Sequence, residues 1–226
     1  MDLNLPKEYM LLALHNKKGK SVIDSLSLNY GLAGALLLEL TAMDKLEIRN
    51  KKLVITDVKP TGQKAYDEAM SMIKAKSGKR RAKHWVHKLG SKGNKFRKMI
   101  VQELVAGGIL KRKEKRFLWI FTYNVYPEVN PKPEREIRER LTAIVLHGKP
   151  ADERSAMLLS LIETSKLTRI LFTNKKDHKM AKKRIKEVVK SFDIDQSVSV
   201  ALKEVQAAVT AATTSAVITS VTAGGS

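Results

Sequence analysis

The chain has no cysteine in its 226 residues, which excludes disulfides and thiolate metal sites and allows a reducing compartment. Its first residues lack the pattern of a secretory leader. Asp2 and Glu8 stand where a basic start would be and Pro6 interrupts the apolar run, so secretion is not expected. No long, strongly apolar run occurs either. The nearest approach, Val205 to Val221, carries no charge but is mostly Ala, Thr, Ser and Val. That is too short and too weakly apolar for the roughly 20 residues of a spanning helix, and a buried C-terminal helix is expected there. With no low-complexity linker to divide the chain, one compact domain over residues 1–222 is expected, followed by a disordered, frayed tail at 223–226.

The middle of the chain is short of negative charge. Between Lys74 and Arg116 two glutamates stand against sixteen lysines and arginines, so this stretch carries about +14 of the formal net charge of +20. Evenly solvated surfaces mix both signs, so an excess of this size marks a face that meets anions. Near an anionic bilayer each basic group contributes roughly 1 kcal/mol and is screened beyond a Debye length. On a polynucleotide the same groups act through counterion release. Charge selects membranes or nucleic acids as partners without choosing between them.

Periodicity predicts a mainly α chain with two small β-hairpins. Leu5-Pro6-Lys7-Glu8 reads as a helix start, followed by an apolar run to Leu14 and a turn at Lys17-Lys18-Gly19-Lys20. Asn29 is expected to cap a second helix, about Tyr30 to Met43, whose apolar residues fall on nearly all sides and place it at the centre of the core. Leu46-Glu47-Ile48 and Leu53-Val54-Ile55 flank Arg49-Asn50-Lys51 as a short hairpin. A helix from about Gln63 to Lys74 follows, broken at Ser77-Gly78.

A shift of 64 residues lays a second copy of this helix, turn and hairpin on the first. It sets Glu39-Leu40 on Glu103-Leu104, Ala42 on Ala106, Leu46 on Leu110 and Leu53-Val54-Ile55 on Phe117-Leu118-Trp119. Gly107-Gly108 is expected to end the second helix. Lys111 to Arg116 is expected to form a charged hairpin tip before a strand at Phe117 to Phe121. Four more helices complete the reading, over 134–146, 152–163, 177–190 and 197–219, with Pro127, Pro131, Pro133 and Pro150 marking the connections.

No catalytic constellation emerges, and neither enzyme activity nor a cofactor is expected. Gly19-Lys20-Ser21 imitates the end of a P-loop, but Leu14 stands where its first glycine is required. His84 and His87 are three apart on one helical face beside Trp85, and two histidines fall short of the three or four ligands zinc needs. No metal is expected, and Trp85 reads as core. Trp119 reads as core or as an oligomer contact. Asp67-Glu68 and the pair Asp193 and Asp195 read as surface charge or helix caps rather than an acid/base couple.

The order of landmarks resembles the Golgi phosphoprotein 3 (GPP34) family. The pieces that carry the likeness are Leu11-Leu12-Ala13-Leu14 with its charged turn, Gly31-Leu32-Ala33-Gly34-Ala35-Leu36 running into Glu39-Leu40, and Pro60-Thr61-Gly62 before Asp67-Glu68-Ala69. Further on come Trp85, Glu103-Leu104-Val105 with Gly108-Ile109-Leu110, the stretch from Phe117 to Phe121 with Tyr126-Pro127, and Val205-Gln206-Ala207-Ala208-Val209. The resemblance implies a largely helical single domain with small hairpins, peripheral to membranes, that binds phosphatidylinositol 4-phosphate through a basic pocket. In eukaryotic members it also implies bridging to the cytosolic tails of Golgi glycosyltransferases and self-association through the second hairpin.

Carried onto this sequence, the family pocket is altered. A tryptophan of the eukaryotic pattern becomes Asp24, an arginine nine residues later becomes Ala33, and a later arginine pair becomes Asn94 and Arg97. An acidic Asp24 in the pocket would repel phosphate, and the missing tryptophan removes an anchor for the bilayer interface. The chain therefore reads as a divergent, prokaryotic member with a broader anion preference.

The sequence thus predicts a cytoplasmic, non-enzymatic, peripherally membrane-associated module. Arg97, Lys95, Lys98, Lys92, Asn94, Arg80 and Arg81 are the expected contacts to lipid phosphate. Lys111, Arg112, Lys113, Lys115 and Arg116 are expected to face the membrane or to form a homo-oligomer, and protein cargo tails are further candidate partners. The alternative is a nucleic-acid binder that uses its helix-plus-hairpin units as winged helices. Gln102 is the main residue suited to base edges before the second hairpin, and the first unit's helix is too apolar to enter a groove.

Overall fold

The computed structural model describes residues 3–75, 80–117, 121–191 and 196–222. The chain is 63% helical, with ten helices and two antiparallel two-stranded sheets among the described residues. Ser77-Gly78, Leu118 to Ile120 with Trp119, Asp193, Asp195 and the tail 223–226 lie outside them.

Helix α1 (Leu5–Leu12) starts where Asn4 accepts a hydrogen bond from the Lys7 amide at 3.2 Å, with Pro6 in its first turn. Helix α2 (Ser25–Ala42) is the axle of the fold, with every residue from Gly31 to Thr41 buried. Its cap is Asp24, which accepts from the Ser27 amide at 2.8 Å. Asn29, expected to be the cap, sits a turn inside the helix instead. An acidic Asp followed by Ser25 and Ser27 offers a stronger end to the exposed amides than the later asparagine. Each fully buried leucine of α2 contributes roughly 1.5–3 kcal/mol.

Helix α10 (Gln196–Thr222) lies against α2, and Gly34 permits the approach. A Cβ at that position would come within 2.9 Å of both Leu161 and Val209. Val205, Ala208, Val209 and Ala212 are buried there, so this part of the expected C-terminal helix is packed. No helix among the described residues is long and apolar enough to cross a membrane. One carboxylate is buried beside α2. Glu39 accepts from the Leu5 amide at 2.7 Å and from both terminal nitrogens of Arg154 at 3.2 Å, which satisfies a charge that would otherwise be costly.

The predicted repeat is present in the backbone. Strands β1 (Leu46–Arg49) and β2 (Lys52–Ile55) form a hairpin closed by Asn50 and Lys51, both at positive φ as a two-residue turn requires. At the end of α2, Met43 donates to Glu39 and Lys45 to Leu40, with Asp44 at φ 55°. Helix α5 (Gly93–Ala106) ends the same way 64 residues on, with Gly107 bonded to Glu103, Ile109 to Leu104, and Gly108 at φ 70°.

The second hairpin differs from its expected form. Strand β3 is Lys113–Phe117 and β4 is Phe121–Val125, paired with Phe117 opposite Phe121 and Lys113 opposite Val125. Lys113 to Arg116 therefore lie in the first strand rather than at a tip, and Phe117 and Phe121, expected at the two ends of one strand, stand opposite each other on two. The ladder reaches back to a bridge between Leu110 and Glu128. The β-branched and aromatic residues of Phe121–Val125 supply a partner strand that no sequence-local signal pairs with a lysine-rich stretch.

Helices α3 (Lys64–Lys74) and α4 (Ala82–Gly90) lie between the two units in the chain. Trp85 is fully buried, as read from the sequence. Asp67 and Glu68 resolve as structural groups. Asp67 accepts from the Thr61 amide and hydroxyl at 2.7 and 2.8 Å, and Glu68 pairs with Lys95 at 2.6 Å. Helices α6 (Lys132–Leu146), α7 (Glu153–Thr164), α8 (Thr168–Leu171) and α9 (Lys175–Ser191) lie between the second hairpin and α10 in the chain.

Candidate anion-binding site

Three stretches distant in sequence meet at the return strand of the second hairpin. The turn at residues 15–20 is held by its own bonds, the His15 amide to the Lys20 carbonyl and the Gly19 amide to the His15 carbonyl. It is stitched to the return strand by the Tyr126 amide, which donates to the Gly19 carbonyl at 2.9 Å, and by the Glu128 amide, which donates to the Asn16 carbonyl at 2.9 Å. Gly19 has φ 62°, and a Cβ there would lie 2.2 Å from the Pro127 nitrogen, so only glycine fits.

The first turns of α5 face this assembly. A cavity of about 590 Å³ is lined by Lys20 and Ser21 from the turn, Asn94, Arg97 and Lys98 from α5, and Tyr123 and Tyr126 from the second hairpin. The start of a helix adds the positive end of its dipole. Lys20 is held with its ammonium 4.7 Å from the centre of the Tyr123 ring.

Arg97 is the unusual member. It is half-buried, and burial pushes its pKa below the usual arginine range, with Tyr126 acting in the opposite direction. Among the described residues no carboxylate lies within ion-pair distance of it. A partly desolvated guanidinium without an acidic partner is electrostatically incomplete, and its planar fork suits a phosphate or carboxylate.

The residues singled out from sequence do not all line one cavity. Asn94, Arg97 and Lys98 come together in this cavity. Lys95 turns to Glu68, and Lys92 is exposed at the start of α5. Arg80 and Arg81 line a separate cavity with Lys83, His84 and His87. Lys111, Lys113 and Lys115 line a third with Lys17 and Lys18, while the Arg112 Nε donates to the Asn124 side chain at 2.8 Å.

Asp24 and Ala33 do not line the Arg97 cavity. Asp24 is engaged in capping α2, and hydrogen bonds from Ser27 and Leu26 outweigh burial to hold its carboxyl below the usual range. Ala33 is in the core at 2% exposure. Asp24, expected in the pocket, is thus not among the side chains that line this cavity. Lys20, Ser21, Tyr123 and Tyr126 were missed by the sequence reading. Their traces in the sequence are the phosphate-loop-like Gly19-Lys20-Ser21 and the Tyr126-Pro127 pair, signals that do not name their distant partners.

Among the described residues no group of three or more histidine, aspartate or glutamate side chains gathers to hold a metal.

A family model described as Golgi phosphoprotein 3 (GPP34) matches residues 5–212. The chain is 27% identical over 164 residues to the vacuolar protein sorting-associated protein 74 of Schizosaccharomyces pombe, an alignment covering 63% of this chain and 48% of that protein. The chain thus spans about half the length of that relative.

Proposed function

The chain belongs to the Golgi phosphoprotein 3 (GPP34) family, and from that premise we propose that it is a non-enzymatic, cytoplasmic protein that docks peripherally on membranes by binding the phosphate of an anionic lipid head group. Phosphatidylinositol 4-phosphate is one such head group. The observation that carries this reading is Arg97, half-buried without an acidic partner among the described residues, in one cavity with Asn94, Lys98 and Lys20. A head-group phosphate would complete the guanidinium's hydrogen bonding, accept from the Asn94 amide, and be neutralised by the two lysines. The side chains at the altered family positions, Asp24 and Ala33, leave the cavity to Arg97 and its neighbours, which supports tolerance among head groups rather than selection of one.

Co-sedimentation with neutral phosphatidylcholine vesicles, alone or doped with phosphatidylglycerol, cardiolipin or phosphatidylinositol 4-phosphate, tests the proposal across a salt series. Binding to the doped vesicles that weakens with salt is expected. Equal binding to neutral vesicles, or tighter binding to duplex DNA titrated beside them, would overturn it.

A further inference from the structure

The second hairpin carries a row of lysines that the lipid reading does not use. Lys113 and Lys115 alternate along β3 and so project to one face, and Lys111 precedes the strand. Lys111, Lys113 and Lys115 line one wall of a cavity of about 570 Å³, and Asn16, Lys17 and Lys18 line it from the turn. Glu128 is the one carboxylate among its lining residues. It accepts from the Asn16 side chain at 3.1 Å and none of the five lysines is ion-paired among the described residues.

The walls are fixed by backbone. The Glu128 amide bonds to the Asn16 carbonyl and the Lys111 amide to the Pro127 carbonyl at 3.0 Å, so both lysine-bearing segments are tied to the same return strand. Five ammonium groups against one carboxylate leave a surplus of about four positive charges among the lining residues. A phosphate monoester carries about −1.5 to −2 at neutral pH, so two or three phosphate groups on one small molecule would match the surplus.

We propose that the groove between the 16–18 turn and Lys111, Lys113 and Lys115 is a second anion site, separate from the Arg97 cavity, that takes a small ligand bearing two or three phosphate groups. Val125 lines both cavities, so the two sites share the return strand while drawing on different cations. The site does not require the lipid reading to hold. A doubly or triply phosphorylated head group and a soluble polyphosphate present the same chemistry to it.

Isothermal titration of the full chain with inorganic tripolyphosphate and with inorganic phosphate tests the site. Lys113→Ala with Lys115→Ala, Lys17→Ala with Lys18→Ala, and Arg97→Ala with Lys98→Ala serve as variants. Tripolyphosphate is expected to bind more tightly than phosphate and to weaken at least about tenfold in each of the first two pairs, since each lysine near an anion is worth roughly a factor of five. The Arg97 pair should remove only the anion binding contributed by its own cavity and leave the tripolyphosphate binding that the two lysine pairs weaken, which separates failure of this site from failure of the lipid site. Competition of tripolyphosphate by vesicles bearing phosphatidylinositol bisphosphate would assign the site to a head group, and the absence of competition to a soluble ligand. Equal affinity in wild type and the Lys113, Lys115 variant would overturn the proposal. So would self-association lost in that variant while tripolyphosphate binding persists, or duplex DNA held through these lysines more tightly than tripolyphosphate.

Discussion

The Gly19 carbonyl accepts the Tyr126 amide at 2.9 Å, and the glycine's α-carbon faces the Tyr126 to Pro127 backbone too closely to carry a side chain. This contact fixes the 15–20 turn, and with it Lys20, to the wall of the Arg97 cavity. Gly19→Ala combines a positive φ with a backbone clash and should cost about 2 kcal/mol or more. Urea unfolding gives the stability, and binding of the same variant to anionic vesicles should fall with it. Wild-type values in both would show that the turn is not held as described.

Arg97 predicts a different pattern. Removing a half-buried cation with no acidic partner should leave the midpoint of thermal unfolding unchanged or raise it, because the site gives up folding stability for binding. Arg97→Gln should therefore retain stability while losing affinity for anionic vesicles. A marked fall in Tm would assign Arg97 a structural role instead.

Glu39 and Arg154 show the contrasting case of a cation that is already paired. Arg154→Met leaves Glu39 buried and uncompensated, which should cost about 3 kcal/mol, the low end for a buried pair because Arg154 is itself partly exposed. The loss should appear in urea unfolding at neutral pH. A variant as stable as wild type would mean that water replaces the arginine.

Two helix caps set an acid dependence. Burial alone would raise the Asp24 and Asp152 carboxyls, but hydrogen bonds from Ser27 and Ser155 hold both below the ordinary aspartate range. A lowered folded-state pKa means that the native state binds fewer protons. The stabilisation is present above the unfolded pKa of about 3.9 and is lost as pH falls through the lower folded values. Asp24→Ala and Asp152→Ala should each cost about 1 kcal/mol at pH 7. The difference from wild type should shrink on acidification below about pH 4. An undiminished difference there would contradict the assignment.

Local signals were legible in the sequence. The all-round apolar character of α2, the 64-residue repeat and the glycine at its second helix end all follow from residues close in the chain, and the repeated backbone geometry at Asp44 and Gly108 matches them. The cap of α2 was misplaced because Asn29 and Asp24 are both acceptable caps and only the fold chooses between them. The second hairpin was misread because Lys113 to Arg116 carry a turn's polarity while lying in a strand, an arrangement stabilised by pairing with Phe121–Val125. The candidate cavity was only half visible. Asn94, Arg97 and Lys98 share one helix, whereas Lys20 and Tyr126 reach them through contacts that no local pattern encodes. Lys95 shows the converse, since a basic residue in the same turn is turned away by Glu68.

The most direct test of lipid-phosphate binding at the Arg97 cavity is the double variant Arg97→Ala with Lys98→Ala, measured by co-sedimentation with vesicles containing phosphatidylglycerol. Affinity is predicted to fall at least about tenfold while circular dichroism and the unfolding midpoint stay at wild-type values. Undiminished binding by a folded double variant would contradict the account.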